Sequence, residues 1–562
     1  MALHSPVTKT MFVLACGLCA AGPIGARAQD VTTASENGGK CPIAGPPLDD
    51  ALSAPRWSGW GVDSSQHRFQ PSMMAQLAPD DVPRLKLKWA FGYPGAVRAF
   101  AQPTIVAGRL FVGSQSGKVY SLASESGCTY WEFDAGKPVR SAIVIGQQAG
   151  GWSAYFGDFG AIVHAVDALT GRELWKTRID DHPAARVTGS PALVGATLFV
   201  PVSSIEEATG ANPNYSCCSF RGSVVALEAS TGKLQWKGYT IVQEAKPTAT
   251  NSAGVEMMGP SGAPIWSSPT FDGVTRRVYV TTGDNYSDPP TDTSDAILAF
   301  DAESGELVWS RQTTTADAYN LACVRTTRTN CPQADGPDYD FGSSAVLVVL
   351  PGGKRALIGA QKSGVVTAID PDRSGEIIWQ RKVGRGGRLG GVQWGVAADE
   401  SKVYIAVSDV RLDVVAPSVP GAQISAVGPA IAFLLDNKVG GGLHALNLET
   451  GDEIWQTPHP GCNDGPGCSP AQSAAVTAIP GIVFSGGLDG HLRAYSAEDG
   501  RIVWDVDTKT EYRTVNGVAA RGGSIDGPGA VVVGGVVYVS SGYGFFGTLP
   551  GNVLLAYSVD GH

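Results

Sequence analysis

Apolar residues come in short alternating runs along this chain, and one pattern keeps returning. It reads apolar–x–Ala–apolar–Asp, then Thr or Ser with Gly, then Trp. Clear copies are AVDALTGRELW ending at Trp175, ALEASTGKLQW at Trp236, AFDAESGELVW at Trp309, AIDPDRSGEIIW at Trp379, ALNLETGDEIW at Trp455 and AYSAEDGRIVW at Trp504, with SLASESGCTYW at Trp131 a weaker one. Period-two alternation broken by a glycine turn predicts a β-hairpin. A second hairpin precedes most copies, as in PTIVAGRLFVGS (103–114), and two hairpins make a four-stranded blade. Blades repeated through an all-β chain predict a propeller.

The eighth copy is incomplete. The chain ends in VLLAYSVDGH, an Ala-bearing strand without its Trp strand, while LKLKWAF supplies Trp89 before any full repeat begins. The expected fold is therefore an all-β, eight-bladed β-propeller whose last blade is closed by an N-terminal strand, which leaves no free sheet edge at the seam. Extra length falls in inserts at 205–221, 246–264, 310–338 and 408–441, predicting that one sector of one face is built up.

The first residues read as a secretory signal: Lys9, an apolar run from Met11 to Ala21, and an Ala26-Arg27-Ala28 cleavage site. Residues 1–28 would be removed, leaving 29–562 as one propeller domain, exported to the periplasm. No stretch is long enough for a membrane-spanning helix. A net charge of −10 and 17% charged residues disfavour nucleic acid, whose phosphates need clustered Lys and Arg.

Ten cysteines are present, of which Cys16 and Cys19 leave with the signal. The remaining even number, in an oxidising compartment, predicts disulfides. Spacing suggests Cys323 with Cys331 and Cys462 with Cys468, leaving Cys41 and Cys128 as a distant pair. Cys217 and Cys218 are adjacent, and if neither pairs elsewhere they bond to each other. Roughly a hundred pairings are formally open. The absence of C-x-x-C-H excludes covalently attached haem c.

Against the regular repeat, several residues stand out. Trp266 is one of five tryptophans outside the repeat positions, with Trp57, Trp60, Trp152 and Trp394. At the start of an inner strand its indole could floor a flat ligand or simply fill the channel. Glu206, Asp284 and Asp340 lie at strand ends beside small residues, as ligands of a hard cation do, with Asn285 adjacent to Asp284; singly, each acid reads equally as a loop residue or turn cap. Lys362 is a lone cation in an apolar strand pair, and Arg140 is placed similarly one blade after the first.

These residues resemble the PQQ-dependent, eight-bladed alcohol dehydrogenases, from Trp57 to the C-terminus. RWSGWGVDSSQHRFQP is similar to the family's N-terminal segment, and NYSCCSFRGS, TTGDNYSDP and DYDFGSS resemble its polyvinyl alcohol dehydrogenase branch. The resemblance implies that Cys217-Cys218 is a vicinal disulfide beside the cofactor. It implies that Trp266 stacks on PQQ, that Arg140 and Thr188 bind its carboxylates and carbonyls, and that Ser203 and Trp394 also touch it. Lys362 would stand at the reactive carbonyl. Glu206, Asp284 and Asp340 would hold Ca²⁺ or another hard cation, with Glu207 or Asn285 as substitutes in a shifted register. Asp340 would be the catalytic carboxylate, with Asp338 its rival. Phe100 stands where the family often has Glu, so Gln102 is expected to replace that contact.

The implied reaction is dehydrogenation of an alcohol substrate, with electrons leaving to an external acceptor such as cytochrome c. The alcohol would be a polymer such as polyvinyl alcohol or another bulky secondary alcohol; a hydroxylated natural product or toxin is the alternative. The competing class is a non-catalytic propeller scaffold of the outer-membrane assembly type, which shares the repeat but has no use for these off-repeat residues together.

Overall fold

The computed structural model describes residues 39–562 apart from 50, 149, 417, 419–422, 425–431, 463–466 and 546. The expected signal segment, Cys16, Cys19 and the cleavage site lie outside the described residues, as does part of the 408–441 insert. Eight four-stranded antiparallel blades form the ring. From the axis outward, blade 1 runs Thr104–Val106, Arg109–Val112, Lys118–Ala123 and Thr129–Asp134. Blade 4, for comparison, runs Thr270–Asp272, Arg277–Thr281, Ala296–Asp301 and Leu307–Gln312. Blade 8 takes its inner three strands from the C-terminus and its outer strand from Leu85–Gly92, which pairs antiparallel with Pro550–Val559. Closure by the N-terminal strand is as the split repeat predicts.

The repeat residues have physical assignments. In each outer hairpin the Trp stands opposite the repeat's small residue, as Trp236 does Ala226 and Trp455 does Ala445. The register slips beside that pair in all eight blades, a β-bulge that tilts the indole out of its own sheet. The indole then packs on the turn glycine of the next blade. A Cβ on Gly232 would sit 2.4 Å from Trp175, and one on Gly451 2.5 Å from Trp379, and both glycines have φ above +70°. Only glycine meets both conditions cheaply.

The indole N–H donates to a carbonyl beyond that blade's Asp position, as Trp175 does to Ala229 at 3.0 Å. Trp504 donates to Leu85 at 3.2 Å and so docks across the closure. Trp309 is the exception, with a buried N–H that has no acceptor. The facing turn, Asp370-Pro371-Asp372-Arg373-Ser374-Gly375, is one residue longer than the others and forms a short 3₁₀ helix, so the usual carbonyl is displaced.

Residues 56–70 run as a belt around the inside of the ring. Arg56–Trp57 pairs with the inner strand of blade 1. Gly59 donates to Ile143, and Ser64, Ser65, His67 and Arg68 accept from Phe271, Leu347, Ala398 and Ala478, one contact each to blades 2, 4, 5, 6 and 7. Gln70 reaches the Val532 carbonyl of blade 8.

All four inserts leave from connections on one face. They add a turn of helix at Glu206–Thr209, a hairpin of Lys246–Thr250 with Glu256–Gly259, and a three-stranded sheet at 412–435. The disulfides are Cys41–Cys128, Cys217–Cys218, Cys323–Cys331 and Cys462–Cys468.

Candidate active site

The insert-bearing face is where second strands turn into third strands and where one blade hands over to the next. Two neighbouring features occupy it near the axis. The first is a cavity whose lining includes Trp60, Phe100, Arg140, Thr188, Trp266, Trp394 and Tyr543. The Trp266 and Trp394 rings meet edge to face at 5.2 Å, and Trp394 meets Tyr543 likewise at 5.7 Å. Arg140 lies over Trp394, 4.9 Å from its centre, and donates to the Thr188 carbonyl at 3.2 Å. Trp394 is fixed by donating to Asp526 at 2.6 Å. The floor position of Trp266 depends on Gly342, since a Cβ there would fall 1.9 Å from the indole edge. Thr188 Oγ1 is buried without a partner, which marks a place for a polar ligand atom.

The second feature is a buried acidic group. One carboxylate oxygen from each of Asp284, Asp338 and Asp340 lies within 4.8 Å of the others. Lys362 Nζ donates to Asp338 at 2.6 Å and to Asp340 at 2.7 Å, and stands 5.6 Å from the centre of the Trp266 ring. It thus joins the acids to the cavity floor. Asp340 also accepts from the Asp284 backbone N–H at 2.7 Å, and its carbonyl accepts from Lys362 N–H. The DYD segment is held by Asp317, which accepts from the N–H groups of Asp338 and Tyr339.

The electrostatics are one-sided. Burial raises Asp284 far above the ordinary carboxylate range, and Asp340, Asp338 and Glu207 add to the effect. Asp338 is likewise raised, first by burial, against the pull of Lys362. Burial works against the Lys362 charge, but Asp338, Asp340 and Glu207 overcome it and hold the ammonium protonated. Glu207 is lifted to about 7 by burial, with Lys362 and Arg388 opposing and Asp340 reinforcing. Fully buried Asp295 leaves both oxygens unpartnered, and Asp284 leaves Oδ2 so. Several carboxylates around one lysine are a charge imbalance that a hard cation relieves.

Of the residues singled out from the sequence, Arg140, Thr188, Trp266 and Trp394 converge on the cavity, and Asp284, Asp340 and Lys362 on the acidic group. Glu206 stands apart from both. Its buried carboxylate is occupied by Tyr215 Oη at 2.7 Å and by the N–H groups of Ser219 and Phe220 at 2.9 and 2.8 Å. One residue on, Glu207 is the glutamate that senses Lys362 and Asp340. The Cys217–Cys218 bond lies in the core with Phe220 and Tyr286 and is not part of the lining of this cavity. Ser203 is buried in its strand and does not line the cavity either. Gln102, expected to replace the family glutamate's contact, is not in the lining of the cavity: its amide holds the Gly59 and Trp60 carbonyls and its oxygen accepts from Arg68. The sequence reading missed the cavity roles of Trp60 and Tyr543 and the support from Asp317 and Asp526. Trp60 carried a signal, being off the repeat.

The glucose/ethanol/alcohol dehydrogenase β-propeller domain model matches residues 57–323, and that of outer membrane protein assembly factor BamB matches 362–550. Polyvinylalcohol dehydrogenase of a Pseudomonas species is 42% identical, over 93% of this chain and 80% of that one. Polyvinylalcohol dehydrogenase of Sphingopyxis sp. strain 113P3 is 40% identical, over 93% and 79%. Among solved structures, quinohemoprotein alcohol dehydrogenase ADHIIG of Pseudomonas putida HK5 superposes with a TM-score of 0.67 at 18% identity, covering 92% of this chain and 82% of that one.

Proposed function

The chain belongs to the PQQ-dependent alcohol dehydrogenase family, and from that premise we propose that it oxidises a secondary hydroxyl of a bulky alcohol, a polyvinyl alcohol-like chain, to a ketone. We place the reaction in the periplasm, with Ca²⁺ or a similar hard cation at the acidic group and a cytochrome c as electron acceptor. The observation that carries this reading is the single lysine shared by Asp338 and Asp340 beside the Trp266 floor.

The residues present fit the cofactor. Trp266 offers a flat face, Arg140 a cation, and Thr188 an unpartnered hydroxyl for an aromatic polycarboxylate. Asp284, Asp338, Asp340 and Glu207 are oxygen donors of the kind a hard cation takes, and Asp284 Oδ2 is buried with no hydrogen-bond partner among the described residues. When bound, PQQ accepts the hydrogen and electrons of the alcohol carbon, while the cation withdraws charge from its carbonyl oxygen. Asp340, its backbone and side chain both tied to Lys362, takes the hydroxyl proton as general base. Lys362 stays charged and stabilises negative charge that develops beside it. The aromatic walls of Trp60, Trp394 and Tyr543 exclude water from the cavity.

Reconstitution tests this. Apoprotein with PQQ, Ca²⁺ and a dye acceptor is offered primary, secondary and polymeric alcohols, with hydroxylated natural products as a further arm. Dye reduction strongest with polyvinyl alcohol and secondary alcohols is expected. A preference for small primary alcohols or for the natural products overturns the substrate assignment.

A further inference from the structure

The belt buries a full positive charge for which the described residues of the ring supply no negative one. Arg68 is completely enclosed. Its guanidinium donates to the Val476 carbonyl at 2.7 Å, the Trp60 carbonyl at 2.6 Å, Gln102 Oε1 at 2.7 Å and Thr477 Oγ1 at 3.0 Å. All four acceptors are neutral. Burial alone pulls its pKa down to about 9, with no charged group contributing, so it remains a cation at neutral pH. The guanidinium carbon lies 5.4 Å from the centre of the Trp57 ring and 4.8 Å from that of Trp60, and Trp60 lines the cavity.

Neutral acceptors can clasp the belt, but they do not cancel a charge, and an isolated buried ion is expensive. A neutral side chain of similar reach would clasp at lower cost. A charge is useful there if its partner arrives later. One indole separates it from a cavity whose occupant, under the proposed function, is an anionic quinone. Through a polarisable ring in a dry interior the attraction is little screened.

We infer that Arg68 is a positioning residue for the cofactor: a buried counter-charge behind Trp60 that favours binding of the anionic quinone and of its reduced form. The inference rests on PQQ being the occupant and goes beyond it by assigning a residue that does not touch the ligand. Two measurements test it without turnover: PQQ titration of the apoprotein by tryptophan quenching, and spectroelectrochemical titration of the bound quinone.

Arg68→Met is expected to weaken PQQ binding by roughly tenfold, the scale of one partly screened charge, and to shift the potential negative. Gln102→Ala, which loosens the clasp and keeps the charge, should lower the melting temperature but leave both readouts in place. Arg68→Lys should bind like the wild type at pH 6, its affinity relative to wild type falling towards pH 9 as the buried ammonium loses its proton. That ratio decides the matter if Arg68→Met does not fold. Unchanged affinity and potential in Arg68→Met, an equal loss in Gln102→Ala, or a flat pH ratio for Arg68→Lys overturns the inference. A wild-type apoprotein that takes up no PQQ overturns the cofactor assignment and this inference with it, whereas loss confined to the Arg68 variants supports both.

Discussion

Blades 4 and 7 share one backbone plan, and each places an aspartate three residues beyond its second strand, Asp284 after Arg277–Thr281 and Asp489 after Ile482–Gly486. Around Asp489 the chain supplies partners. Arg493 donates at 2.6 Å and His459 lies at 3.3 Å, and although burial opposes the charge, His459 and Arg493 hold that carboxyl far below its usual range. Around Asp284 the charges that act on the carboxyl are acids, Asp340, Asp338 and Glu207 first among them, and the nearby Lys362 is bonded to Asp338 and Asp340 instead. At the same offset from the second strand, an aspartate stands in an ion pair in one blade and in a group of buried acids in the other. A regular blade satisfies its own polar groups, and a chemical one leaves them for a guest.

The sharpest way to break this contrast is at the base. Asp340→Asn should cut turnover by roughly a thousandfold while PQQ uptake persists, whereas Asp489→Asn should leave turnover per folded molecule near the wild-type value. If Asp338→Asn gives the large loss and Asp340→Asn does not, the base is Asp338. Steady-state rates with uptake measured in parallel separate the cases.

Next in size is stability. Asp489→Asn removes one of the two carboxylates on buried Arg493, leaving Asp505 at 3.1 Å, and should cost about 2 kcal/mol in urea unfolding. Asp284→Asn should instead raise the melting temperature of the metal-free protein, since it removes a carboxyl that ionises freely in the unfolded chain but is held from ionising by burial and acidic neighbours in the folded one. It should also abolish the further rise that Ca²⁺ gives the wild type. An Asp284→Asn protein that Ca²⁺ still stabilises equally would place the ion elsewhere.

The pH dependence comes from Asp489. Its folded pKa lies below its unfolded one, so its contribution is fully present above the ordinary carboxylate pKa of about 4 and is lost as pH falls through the folded value. Unfolding free energies of the wild type should fall below about pH 4 more steeply than those of Asp489→Asn. Parallel curves would mean that the pair stores no such stability.

The smallest effect concerns the ring itself. Trp379 donates to Leu448 at 3.1 Å, while Trp309 has no acceptor. Trp379→Phe should therefore be more destabilising than Trp309→Phe, by about 1 kcal/mol. Equal losses would show that the indole N–H contributes nothing to docking.

Much of the molecule was legible from the chain. The blade count and the closure through Trp89 rest on a period, and a period is local. Departures from it pointed to Trp266, Arg140, Trp394 and Lys362, because a residue the blade does not need has some other employment. Sequence reasoning slipped where one residue of register decides. Glu206 and Glu207 are neighbours on a single helical turn (Glu206–Thr209), and which one faces Lys362 depends on the angle at which that turn meets the ring. At Cys217-Cys218, adjacency shows that a bond can form, as it does, but not which wall it faces.

Residue order alone was enough to specify the blade, its bulge, its docking tryptophan and the number of times they recur, since each rests on residues close in the chain or on contacts every copy repeats. The site needed the assembled ring. Closure brings Trp60, Arg140, Trp266, Trp394 and Tyr543 to one cavity, and wraps the belt so that Arg68 lies behind Trp60. These positions share no period, and their meeting depends on the accumulated rotation of eight blades about one axis, which no local pattern records.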